Sequence, residues 1–147
     1  MAFQDPSPCS PWLRAIPLVL FVLSTSCAPS HLPDQDLRIV NTPPAYKMPP
    51  DDLWKEYQRD PSGAPKKYFG KAIDISGKIV AIQPDATKVP VVFFSNPSEN
   101  GLRARLLDER AAEIVKDATV GSRITLRCFC EGFTPDQNVL LKSCIRP

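Results

Sequence analysis

Three of the five cysteines, Cys128, Cys130 and Cys144, stand close together near the C-terminus and are the first residues to weigh for chemistry. Three thiolates lack the fourth ligand of a structural zinc site, and the only histidine, His31, lies far away in a Pro-rich stretch. A Cys–His catalytic pair therefore has no candidate in a packed region. Cys128-Phe129-Cys130 sits in a strand-like run, with no helix N-terminus to lower a thiol pKa, so redox catalysis is not expected either. Glu109, Glu113 and Asp117 recur every four residues, which on a helix makes one solvated acidic edge rather than an acid–base pair. The expectation is a protein that is not an enzyme and uses no metal or cofactor. Oxidation of two of the three cysteines is the chemistry that remains.

The elements that must position these cysteines begin with a hairpin, Gly121 to Ile145. Ile124, Leu126, Cys128 and Cys130 share one face of its first strand, and Val139 and Leu141 supply inward positions on the second. Simple alternation turns Cys144 outward, so a cross-strand bond to it requires a bulge near Lys142-Ser143. Upstream, Asp51 to Asp60 reads as a short helix with Leu53, Trp54 and Tyr57 on one stripe. Gly70 to Gln83 reads as one long strand in which Gly77 marks a bend, and Val89 to Ser95 as a second. Leu102 to Leu106 alternates, sending Arg103 and Arg105 outward. Asp108 to Ala118 is a helix, capped by Asp108, burying Leu107, Ala111, Ile114, Val115 and Ala118.

The N-terminal third is of another kind. Arg14 precedes the apolar run Ala15 to Leu23, which ends in the small residues Ser24-Thr25-Ser26-Cys27-Ala28, the layout of a secretory signal and too short for a bilayer span. This end resembles a bacterial lipoprotein signal, with Cys27 in the place of the lipid-modified residue, although Ser24 stands where leucine is usual. Ordinary cleavage to a soluble product, and an uncleaved anchor or misassigned start, are the other outcomes. Most of the 17 prolines precede Pro65, and Ala28 to Pro50 shows no helical or strand period, as in a semi-rigid tether. The chain divides into a signal over 1–26, a Pro-rich tether over 27–50 and a domain over 51–147. From Pro65 onward 13 Lys and Arg stand against 9 Asp and Glu, too mild an excess to demand a polyanionic partner.

A long bent first strand, and a helix between the third and fourth strands, make an all-β fold with small helical content: a five-stranded OB-fold barrel preceded by a short helix. Tyr68 to Ile145 resembles an OB-fold lipoprotein family related to the anticodon-binding tRNA_anti-like domains. The residues that carry this are Ala64 with Tyr68, Gly70-Lys71, Ile75-Ser76-Gly77-Lys78-Ile79, Val120 to Leu126, Cys130-Glu131-Gly132, and Val139-Leu140-Leu141 with Cys144. Cys128 departs from it, standing where a glycine is usual. The resemblance implies a Cys130–Cys144 disulfide with Cys128 left as a buried thiol, and an exported chain permits the oxidation. OB barrels bind on the face of their second and third strands, where Phe93 or Phe94 with Arg103 and Arg105 offers stacking and phosphate contact. Alternating arginines are also the ordinary solvent side of a strand, and one phenylalanine must be core. The preferred expectation is a non-enzymatic, membrane-anchored module of the cell envelope, on its periplasmic side, that binds a protein, peptide or glycan. Single-stranded nucleic acid is the alternative partner.

Overall fold

The computed structural model describes residues 33–147; the expected signal, Cys27 and His31 lie outside the described residues. In chain order come a 3-10 helix (Leu37–Asn41), β1 (Tyr46–Met48), α1 (Pro50–Arg59), α2 (Gly63–Tyr68), β2 (Ala72–Lys78), β3 (Ala81–Pro84), β4 (Pro90–Phe93), β5 (Leu102–Leu106), α3 (Asp108–Asp117), β6 (Arg123–Phe133) and β7 (Val139–Ile145). All strands join one sheet in the order β1-β2-β6-β7-β5-β4-β3. The pairs β1–β2 and β5–β7 are parallel, the others antiparallel.

The mostly-β, OB-like reading stands, but the closed five-stranded barrel gives way to an open seven-stranded sheet with β1 and β3 at its edges. The long first strand is interrupted at Ile79-Val80. There Ile79 N–H bonds Ser122 O while Val80 N–H bonds Phe93 O, so the backbone changes partner from the β6 side to the β4 side. Gly77 is not the break. Its backbone is approached by Pro50 and Phe94, whose Cδ1 lies 2.9 Å from where a Cβ would stand. Only a residue without a side chain admits that contact.

Burial follows the alternation. Residues 102, 104 and 106 of β5 and residues 124, 126, 128 and 130 of β6 point inward. Leu53 and Tyr57 of α1, Tyr68 of α2, and Ala111 and Ile114 of α3 pack on these positions in the main core. Each large apolar side chain buried this way stabilises by roughly 1.5–3 kcal/mol. The helix α2 was not expected. Pro65 falls in its first turn, where a missing N–H costs little, and Tyr68 anchors it.

Part of the stretch read as tether also takes up structure. Tyr46, Lys47 and Met48 register with Ile73, Asp74 and Ile75. Ile39 is fully buried in a second cluster with Ala72, Leu107, Phe129 and Ile145. Just before it, residues 34–36 are clamped to the sheet. Asp36 N–H donates to Ser143 Oγ at 2.7 Å, Gln35 Nε2 donates to Leu106 O at 3.4 Å, and Lys142 Nζ donates to Asp34 Oδ1 at 2.8 Å. Gln35 Oε1 also accepts from Asp108 N–H at 2.7 Å, so the start of α3 is satisfied from upstream rather than by Asp108 as a cap.

The cysteine pairing differs from the expected one. Cys128 bonds Cys144, and Cys130 is the buried free thiol. The register explains the exchange. Arg127 pairs with Ile145 and Phe129 with Lys142, so Cys128 alone faces Ser143 and Cys144. The bulge required near Lys142-Ser143 is present, with Ser143 at φ 54°, and it turns Cys144 inward opposite Cys128. Cys130 faces Leu141 instead.

Candidate functional site

The face of β4 and β5 was the expected ligand surface, and its four residues meet different fates. Phe94 lies in the main core against Gly77. Phe93 pairs across the strands with Arg103, whose guanidinium lies over the phenyl ring at 5.5 Å from the centroid. That stack is worth about 0.5–1 kcal/mol at a partly exposed site. Arg103 also faces Asp136 at 3.7 Å and keeps 30% of its side chain exposed.

Arg105 is committed to the fold. Only 11% of its side chain is exposed. Its Nε donates to Asp85 Oδ2 at 2.5 Å, Nη2 to Thr87 Oγ1 at 2.8 Å and Nη1 to Asp34 O at 3.1 Å. Asp85 in turn accepts from the N–H groups of Thr87 and Val89, which closes the turn between β3 and β4. Burial pushes the Asp85 carboxyl up, but these bonds, with those from the Thr87 hydroxyl and Arg105, outweigh it and hold the group at about 2.

The turns beside Arg103 brace one another. Asn138 Oδ1 accepts Gly101 N–H at 3.0 Å, and Asn138 Nδ2 donates to Asp136 Oδ2 at 2.8 Å. Hydrogen bonds from Thr134 and Asn138, with the charge of Arg103, hold Asp136 below the usual carboxylate range. The result is a rigid ridge with one stacked Arg–Phe pair. Lys67 is engaged elsewhere, 3.2 Å from Glu56 Oε2 and over the rings of Tyr68 and Tyr46.

The free thiol is not built for reaction. Burial pushes the Cys130 thiol up to about 11, so it is protonated at neutral pH, and Tyr57 Oη lies 3.3 Å from its sulfur. Among the described residues no group of three or more His, Cys, Asp and Glu could hold a metal ion. No helix among them is long and apolar enough to cross a membrane.

One further side chain, on the stripe of α1, is unusual. Trp54 lines a cleft with Pro50, Asp51, Phe94 and Asn100, and its buried Nε1–H has no hydrogen-bond partner.

A long strand that switches partners, a helix between β5 and β6, and a parallel β5–β7 pair define an OB-like module. The tRNA_anti-like family model matches residues 12–145, and the chain belongs to that family. Among solved structures it is similar to a "putative nucleic acid-binding lipoprotein" from Klebsiella pneumoniae subsp. pneumoniae MGH 78578. The TM-score is 0.54 at 16% identity, covering 67% of this chain and 90% of the other. At that identity the likeness is one of fold. No curated protein matches the chain.

Proposed function

We propose that this protein is an exported, non-enzymatic OB-like binding module, lipid-anchored at Cys27 on the periplasmic side of the bacterial envelope, whose partner is a protein, peptide or glycan. The observation that carries the choice of partner is the fate of the β4–β5 face. Arg105 is consumed by Asp85 and Thr87, and Phe94 is core, so a repeated aromatic and cationic platform for successive nucleotides is missing there. The layout of residues 14–28 and the description of the Klebsiella protein as a lipoprotein support export. The test joins lipid labelling to crosslinking in cells. Labelled lipid should enter the wild type and not Cys27→Ala, and crosslinks from Arg103 positions should recover an envelope component. Cytoplasmic recovery of the protein would overturn the reading.

A second reading, a single-stranded nucleic-acid binder, is favoured by the partly exposed Arg103 over Phe93 and by the description of the Klebsiella protein. It requires an affinity for single strands that falls with salt and is lost in Arg103→Ala. Arg105→Ala does not discriminate, because it dismantles the turn at Asp85.

A further inference from the structure

A second surface lies away from the β4–β5 ridge. In the 3-10 helix, side chains three apart align, and Leu37 and Val40 make such a pair. They are 52% and 41% exposed, while Ile39 between them is buried and fixes the helix on the sheet. Beside them opens a cleft of about 280 Å³, with Val40, Ile114 and Ile145 in its apolar part. Arg110, Arg127 and Arg146, from α3, β6 and the residue after β7, converge on it.

Each guanidinium at the cleft has a carboxylate partner, and the partners differ in exposure. Arg127 is held from behind by the buried Asp74, with Nε 2.8 Å from Oδ1 and Nη2 3.2 Å from Oδ2. Arg110 meets Glu113 at 3.8 Å and Arg146 meets Asp117 at 3.2 Å, in exposed pairs. Exposed pairs are worth roughly 0–1 kcal/mol and yield readily to a better anion. Glu113 is the one carboxylate side chain among the cleft's lining.

The chain's own path brings this surface to a membrane. Residues 34–36 are clamped to β7, immediately before Leu37. On the lipid-anchor reading, on which this inference rests, the seven residue steps from Cys27 to Asp34 reach about 25 Å at full extension. That is less than the roughly 35 Å breadth of a domain this size. The clamp is then held within about 25 Å of the headgroups, and the residues that follow it directly in the chain are those of the Leu37–Val40 surface.

We propose that the face formed by Leu37, Val40 and the Arg110–Arg127–Arg146 cleft docks on an anionic phospholipid surface, the cleft taking a headgroup phosphate and the two apolar side chains entering the interface. The combination of shallow apolar contact and arginine charge is that of interfacial membrane binding.

The test uses the full chain reconstituted into vesicles of phosphatidylcholine alone or mixed with phosphatidylglycerol, read by amide hydrogen exchange. Each arginine near an anionic leaflet is worth roughly fivefold, so amides 37–41 should exchange at least about fivefold more slowly on the mixed vesicles. Leu37→Asp/Val40→Asp and Arg110→Glu/Arg146→Glu should remove the difference, and Arg110→Lys/Arg146→Lys should keep most of it. Equal rates on the two vesicles in the wild type overturn the proposal, even if a variant fails to fold. So does slowing that persists in the charge-reversed pair, or that inorganic phosphate reproduces on neutral vesicles. The mass of the Cys27 peptide from the same preparation judges the anchor separately. A missing lipid ends that reading while the vesicle comparison still decides this one.

Discussion

The disulfide offers the sharpest test, because two cysteines on one strand face compete for Cys144. The bond closes a separation of 16 residues, and the chain-entropy relation assigns such a loop about 3 kcal/mol. For a domain near this size that is roughly 10–20 °C in melting temperature. The perturbation is a pair of single substitutions, each measured by urea unfolding with and without reductant. Cys128→Ala should lose the reductant dependence, since Cys130 faces Leu141 and not Cys144. Cys130→Ala should keep the full difference of about 3 kcal/mol. It should also lower stability by about 1–3 kcal/mol in both redox states, because the buried Tyr57 hydroxyl loses its contact with Cys130 Sγ. The comparison between redox states cancels that second cost. If Cys130→Ala abolishes the dependence and Cys128→Ala retains it, both the pairing and the register argument behind it are wrong.

Asp74→Asn should cost about 3 kcal/mol, read by chemical denaturation, because it strips the largely buried carboxylate that holds Arg127. Gly77→Ala should destabilise by about 1–3 kcal/mol in the same assay, since its methyl group enters the space held by Pro50 and Phe94. Trp54→Phe should fall within about 1 kcal/mol of wild type, as it removes a buried donor that has no partner. Acid titration should reveal Asp85. Its folded pKa of about 2 lies below the ordinary 3.8, so its contribution is complete above the ordinary value and disappears as pH falls toward about 2. Asp85→Asn should flatten the stability profile in that window.

Elements with a sustained period were legible from residues alone. The stripe of α3, the inward residues of β5 and the even-numbered face of β6 stand where alternation puts them. Elements defined by partners were not. A strand as short as Tyr46–Met48 has no period to read, and it exists because β2 offers a parallel edge. The start of α3 is satisfied by Gln35, a residue 73 positions away, which local capping rules cannot anticipate. Of the expected ligand face, the outward direction of Arg105 was readable, but the Asp85–Thr87 turn that neutralises it depends on a strand pairing. The need for a bulge before Cys144 was likewise visible. Which cysteine it presents Cys144 to depends on a one-residue shift in register, and side-chain alternation does not specify where such a shift falls.

The position of β7 has a consequence for the order in which the molecule can be assembled. This strand lies between β6 and β5, supplies Cys144 to the disulfide, and gives Ser143 and Lys142 to the clamp on residues 34–36. Until its seven residues are available, the sheet is two separate ladders, β1-β2-β6 and β5-β4-β3, joined by backbone but lacking the strand that links them by hydrogen bonds. A chain delivered N-terminus first therefore cannot finish folding before its last strand arrives. The contacts that complete it, between β7 and residues 34–36, span more than a hundred positions and therefore form last.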